Sequence, residues 1–146
     1  MQRKALIGTL IAAILASGLL VGVSIGSPAR IDEPQVIVVF SGDVLEEESK
    51  GLVTQLREEA LDADGNRVGT IRWNCTGGVD SHCTVVYGLK GSEDERGAVV
   101  ATGIFRGFNG ESLAVTGGTG AFANVRGVVT LSVGDGEFIH TLDLIP

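Results

Sequence analysis

The chain has 146 residues, with 18 acidic against 11 basic side chains and a net charge of −7. That length suits a single small domain around one core. The acidic balance excludes nucleic acid and anionic lipid as partners, since both reward basic patches.

Residues 1–29 read as a secretion leader. Arg3-Lys4 is a basic start, and Ala5 to Gly26 carries no charge. Cleavage is expected after Gly26 or Ala29, and an uncleaved membrane anchor is the alternative. Either way the remainder lies outside the cytoplasm. Residues 30–35 read as a linker and 36–146 as one domain, with no further membrane association expected.

Val36 to Phe40 is a continuous apolar, β-branched run and reads as a first buried strand. Glu46-Glu47-Glu48 reads as a solvated loop. Leu52 to Leu61 and Arg67 to Cys75 flank the turn signal Asp62-Ala63-Asp64-Gly65-Asn66, and read as a hairpin. The acids there resemble the start of a calcium loop, but Arg67 and Trp73 stand where that loop needs Gly and Glu. Cys83 to Leu89 is a further strand, and Lys90 to Gly97 a charged loop. Ala98 to Arg106 with Glu111 to Thr116 reads as a hairpin about Asn109-Gly110, and Arg126 to Val133 with Glu137 to Leu144 as another about Asp135-Gly136. Eight short strands joined by turns, with no crossover helix, predict an antiparallel sandwich or closed barrel.

Val115 to Val129, V-T-G-G-T-G-A-F-A-N-V-R-G-V-V, superficially suggests a dinucleotide-binding turn. No long helix follows it, so no βαβ unit fits and no cofactor is expected. From Gly117 to Gly127 it resembles instead the G-G-T-G-x-F/Y-x-x-x-R-G signature of the allene oxide cyclase/dirigent superfamily. Leu61 to Gly69 and the closing strand Phe138 to Ile145 are similar to bacterial secreted members of that group. The stretch itself reads as a tight glycine turn with a short helical touch at Ala121–Asn124, and the resemblance implies an eight-stranded antiparallel β-barrel. It also implies binding of a small hydrophobic molecule, with direction of its cyclisation or coupling. Any enzymatic activity would then be of a cyclase or isomerase type. The first strand offers only Ser41 and Asp43 for chemistry, so catalysis does not follow from the resemblance. The alternative is a non-enzymatic extracellular module with a filled barrel and a surface for a partner.

Pairing Cys75 opposite Cys83 aligns Trp73 with Val85 and Ile71 with Tyr87, and makes a disulfide natural outside the cytoplasm. Zinc bound with His82 and His140, or a reactive thiol, is the competing reading; no metal is expected from the spacing. The same register places Ile71, Trp73, Val85, Tyr87 and Leu89 on one face, as core or as the wall of an apolar pocket. If Asp64-Gly65 is a two-residue turn, Glu58 faces Ile71 from that interior; a one-residue change substitutes Glu59. If Asp135-Gly136 is one, His140 faces Leu131 and shares a face with Val129, Val133, Phe138 and Leu142. Glu58, His140 and Tyr87 then make a candidate acid/base set, with Trp73, Ile71, Val85, Leu131 and Phe138 around the ligand. A satisfied core histidine is the plain alternative for His140. Arg126 is expected to hold its turn by an ion pair or carbonyl contacts. Leu61, Val68 and Val86 are expected on the outer face, where they would contribute to a homo-oligomer interface.

Overall fold

The computed structural model describes residues 31–90 and 96–146. The leader, and the middle of the loop between Lys90 and Gly97, lie outside the described residues. Eight strands follow in chain order: β1 (Gln35–Lys50), β2 (Val53–Leu61), β3 (Arg67–Thr76), β4 (Ser81–Lys90), β5 (Arg96–Phe105), β6 (Glu111–Gly120), β7 (Arg126–Gly134) and β8 (Glu137–Ile145). Each pairs antiparallel with the next, and β8 pairs with β1 to close a barrel. Strands that alternate direction put the β1–β2, β3–β4, β5–β6 and β7–β8 turns at one mouth and the other turns at the opposite one.

Alternation along the strands decides what fills the barrel. Ile71, Val85, Tyr87, Val99, Leu113, Val129, Leu131 and Leu142 are fully buried, each two residues from another inward position or directly across a ladder from one. Burial of side chains this size stabilises by about 1.5–3 kcal/mol each. The lower mouth is closed by the turn after β6. Phe122 and Val125 tuck beneath the barrel, and the Phe122 ring lies where any side chain on Gly97 would stand.

That turn is where the G-G-T-G segment acts. It is a tight turn at Ala121–Asn124, held by consecutive 3₁₀-type bonds, Phe122 N–H donating to Thr119 O and Ala123 N–H donating to Gly120 O. A side chain on Gly118 would collide with the Phe122 and Ala98 carbonyls, and one on Gly127 with the Asp143 carbonyl. Close backbone approach explains these glycines. Arg126 is exposed and is not in an ion pair among the described residues, so glycine packing rather than arginine holds the turn.

Other expectations are corrected by pairing. Glu46-Glu47-Glu48 lies in β1, opposite Arg57, Leu56 and Gln55 of β2, exposed but not looped. Their charges hid a strand because its β2 partner, not its own apolarity, holds it in place. The β5–β6 ladder stops at Thr102 opposite Ala114, well short of Asn109-Gly110. Gly110 N–H donates instead to Leu131 O, so the expected tight hairpin is an open loop. Leu61, Val68 and Val86 are half-buried; the more exposed apolar residues include Val36, Val38, Val128 and Ile145.

Candidate functional site in the barrel interior

The β2–β3 turn does not have the two-residue form, yet the register above it is the one that form implies. Asp62 Oδ1 accepts from the backbone N–H groups of Asp64 and Asn66, at 2.9 Å each, and these bonds hold its carboxyl below the usual range. A bulge then pairs Leu61 with Arg67 while Ala60 still faces Gly69, which sets Glu58 opposite Ile71. Glu59 is on the outer face, in an ion pair with Arg67 at 2.9 Å. Asp135 and Gly136 both have positive φ in a two-residue turn, and His140 faces Leu131.

These registers bring five side chains into one hydrogen-bonded chain. Trp73 Nε1–H donates to Glu58 Oε1 at 2.8 Å. Ser41 Oγ–H donates to the same oxygen at 3.0 Å. Ser41 Oγ is 3.0 Å from His140 Nε2, and Tyr87 Oη is 3.0 Å from His140 Nδ1. Burial pushes His140 down to about 4, so its ring is neutral and carries a single N–H. The Ser41 proton is committed to Glu58, so His140 Nε2–H donates to Ser41 and Nδ1 accepts from Tyr87. All donors therefore point toward Glu58.

Desolvation raises Glu58 above the ordinary carboxylate range, opposed by the bonds from Trp73 and Ser41. Burial, then the Glu58 charge, raises Tyr87 far beyond the range where phenols ionise. Tyr87 is thus a fixed donor. Glu58 is 6% exposed, and among the described residues no hydrogen bond reaches its Oε2. Oε2 is the atom of this chain left available to a bound molecule. A serine-nucleophile triad does not fit: His140 Nδ1 has a phenol where a carboxylate would support the imidazolium.

The chain ends under an aromatic cluster at the upper mouth. Trp73 lies 5.3 Å from Phe105 and 5.9 Å from Phe108, centre to centre, while Phe108 lies 4.3 Å from Phe138 and 5.7 Å from His140. Of the residues expected around a ligand, Ile71, Val85 and Leu131 are fully buried and Trp73 nearly so. Phe138 stands at the rim, 46% exposed, against Phe108. Cys75 and Cys83 are opposite each other and joined by a disulfide, Cα–Cα 4.1 Å, which removes the zinc and free-thiol alternatives. Among the described residues no group of three or more His, Cys, Asp or Glu is placed to hold a metal. A disulfide suits an oxidising compartment.

Sequence reasoning placed Glu58, Tyr87, His140 and Trp73 on the inward faces but missed Ser41 as their link, and Phe105 and Phe108 altogether. Ser41 follows Val39 on the inward alternation, and Val39 faces His140 across the closing ladder. A β-bulge between Ser41 and Val44 then turns Asp43 outward, exposed. For Phe108 the available signal was a scarce aromatic set between Gly107 and Gly110.

No protein-family model and no curated protein matches the chain. Solved structures do. A pyocyanin demethylase superposes with a TM-score of 0.58 at 20% identity, over 76% of this chain and 100% of that one. A pterocarpan synthase dirigent protein gives a TM-score of 0.58 at 16% identity, over 77% of this chain and 83% of that one. Likeness at such identities is likeness of fold: with eight strands each paired to the next and closing on themselves, the chain has an allene oxide cyclase-like barrel fold.

Proposed function

We propose that the protein is a secreted barrel that binds a small hydrophobic molecule at its aromatic mouth, with Glu58 moving a proton as that molecule cyclises or isomerises. The observation that carries this reading is the buried hydrogen-bonded set Tyr87–His140–Ser41–Glu58–Trp73, in which Glu58 Oε1 accepts from Ser41 and Trp73 and Oε2 accepts no bond among the described residues. A carboxyl raised by desolvation titrates nearer neutral pH, where a general acid or base works best. Ser41, His140 and Tyr87 act through Glu58 as positioning residues. Trp73, Ile71, Val85, Leu131 and Phe138 supply the apolar wall, and restraint of the substrate's conformation supplies rate. Two structures of the same fold are named for a demethylase and a pterocarpan synthase, so the barrel is compatible with chemistry on small molecules.

A second reading has its own support. Tyr87, His140, Ile71, Val85 and Leu131 are all 0% exposed, as in a solidly filled, non-enzymatic module. Native mass spectrometry separates the two. The disulfide-bonded protein is made in an oxidising host and mixed with an extract of hydrophobic metabolites. A stoichiometric adduct is expected. Bare protein across a broad panel supports the filled module.

A further inference from the structure

The aromatic cluster at the mouth holds one side chain that is unusual in its surroundings. The half-buried Phe108 ring has four ring neighbours: it is tilted 33° against Phe138 at 4.3 Å and edge-on to Trp73, Phe105 and His140 between 5.3 and 5.9 Å. Yet Phe108 belongs to no strand. It sits in the loop between β5 and β6, flanked by Gly107 at φ +139° and Gly110 at φ +80°. The four rings around it are fixed to strands: Trp73 in β3, Phe105 at the end of β5, Phe138 and His140 in β8. Strand-borne rings thus form a box, and a loop residue fills it.

The loop is also weakly tied to its own flanks. The β5–β6 ladder ends at Thr102 opposite Ala114; Gly103 still packs against Leu113, but no paired positions continue from there to the loop. Gly110 is anchored to β7 through Leu131 O, which leaves Arg106–Asn109 as the segment able to swing. Arg106 pairs with Asp80 of the neighbouring turn at 2.7 Å, an exposed bond worth little in water.

We infer that Phe108 is a displaceable plug, its ring standing in the box where the flat, uncharged ring of a bound molecule stands when the loop swings out. This deepens the ligand-binding reading and rests on it. The box selects ring-shaped groups: a ring stacks on Phe138 and meets Trp73 and Phe105 edge-to-face, the positive edge of one ring on the electron-rich face of another, which a flexible chain does not reproduce. Phe108 lowers apparent affinity because binding must first expel it, and removing it lifts that penalty.

Trp73 is the only tryptophan in the chain, so it reports on the box directly. Nitrobenzene is the probe, being flat, uncharged and a fluorescence quencher. Its saturable static quenching of Trp73 is measured in the full protein, in Phe108→Ala and in Phe108→Leu, each checked for an intact melting transition. The expected result is at least about tenfold tighter binding to Phe108→Ala than to the unsubstituted protein, with Phe108→Leu between. Folded Phe108 variants that bind nitrobenzene no better than the unsubstituted protein overturn the plug. Nitrobenzene offers Glu58 no proton to take, so tighter binding in Phe108→Ala keeps the plug even where no proton transfer by Glu58 is found.

Discussion

Trp73 and Glu58 lie two register positions apart on adjacent strands, and the indole N–H of one donates to the buried carboxylate of the other at 2.8 Å. That bond offsets part of the desolvation that raises Glu58. It also ties the aromatic mouth to the polar chain, because the same indole packs on Phe105, Phe108 and His140.

Trp73→Phe keeps the ring and removes the donor. The Glu58 carboxyl is then expected to titrate at higher pH than in the unsubstituted protein, followed by carbon NMR of its side chain. The lost bond to a charged acceptor is worth about 1.5–3 kcal/mol, so the melting temperature falls too. A carboxyl that titrates unchanged rejects the coupling.

His140 makes the fold acid-sensitive. Its value falls from 6.5 unfolded to about 4 folded, so the unfolded state binds the proton more tightly. The stability this gives is present above 6.5 and is lost as pH falls from 6.5 toward 4, by up to about 3 kcal/mol. Glu58 acts in the opposite sense: its raised value favours the fold at low pH, and that share is lost as pH rises above 4.5. Urea unfolding at pH 7 and pH 4.5 in a Glu58→Gln background isolates the histidine. His140→Gln there is expected to flatten the difference, and an equal slope with and without the imidazole contradicts it.

The Cys75–Cys83 bond spans 8 positions between adjacent strands. Closing so short a loop stabilises by about 2–3 kcal/mol. Cys75→Ser with Cys83→Ser is expected to lower stability by that amount in chemical denaturation while keeping the β-sheet circular dichroism. An unchanged midpoint contradicts it.

Gly127 has φ +139° and lies where a methyl group would strike the Asp143 carbonyl of β8. Gly127→Ala is expected to cost about 2–4 kcal/mol, read as a lower urea midpoint. Gly65→Ala is the comparison. Its φ is +79° with open space around it, so strain alone acts and the cost is smaller.

Local chemistry made much of the barrel legible. Paired cysteines fixed the β3–β4 register and with it the inward faces of Trp73 and Tyr87, and Asp135-Gly136 did the same for His140. Glu58 was placed through a turn of the wrong form, because the bulge at Ala60–Leu61 restored the register. What escaped was non-local. Ser41 meets His140 across 99 residues of chain, and only barrel closure brings them together. Phe108 escaped because Asn109-Gly110 signals a tight hairpin, while Gly110 bonds β7 rather than closing one.

On the reading proposed above, Glu58 moves a proton to or from a molecule held at the mouth. The direct measurement is to incubate the molecule captured from the extract with the protein in heavy water and recover it for mass spectrometry. Deuterium incorporation or isomerisation is expected with the unsubstituted protein, and loss of at least about a hundredfold in rate with Glu58→Gln, which still binds. Recovery of the bound molecule unlabelled and unchanged from the unsubstituted protein, or equal rates from both, would contradict it.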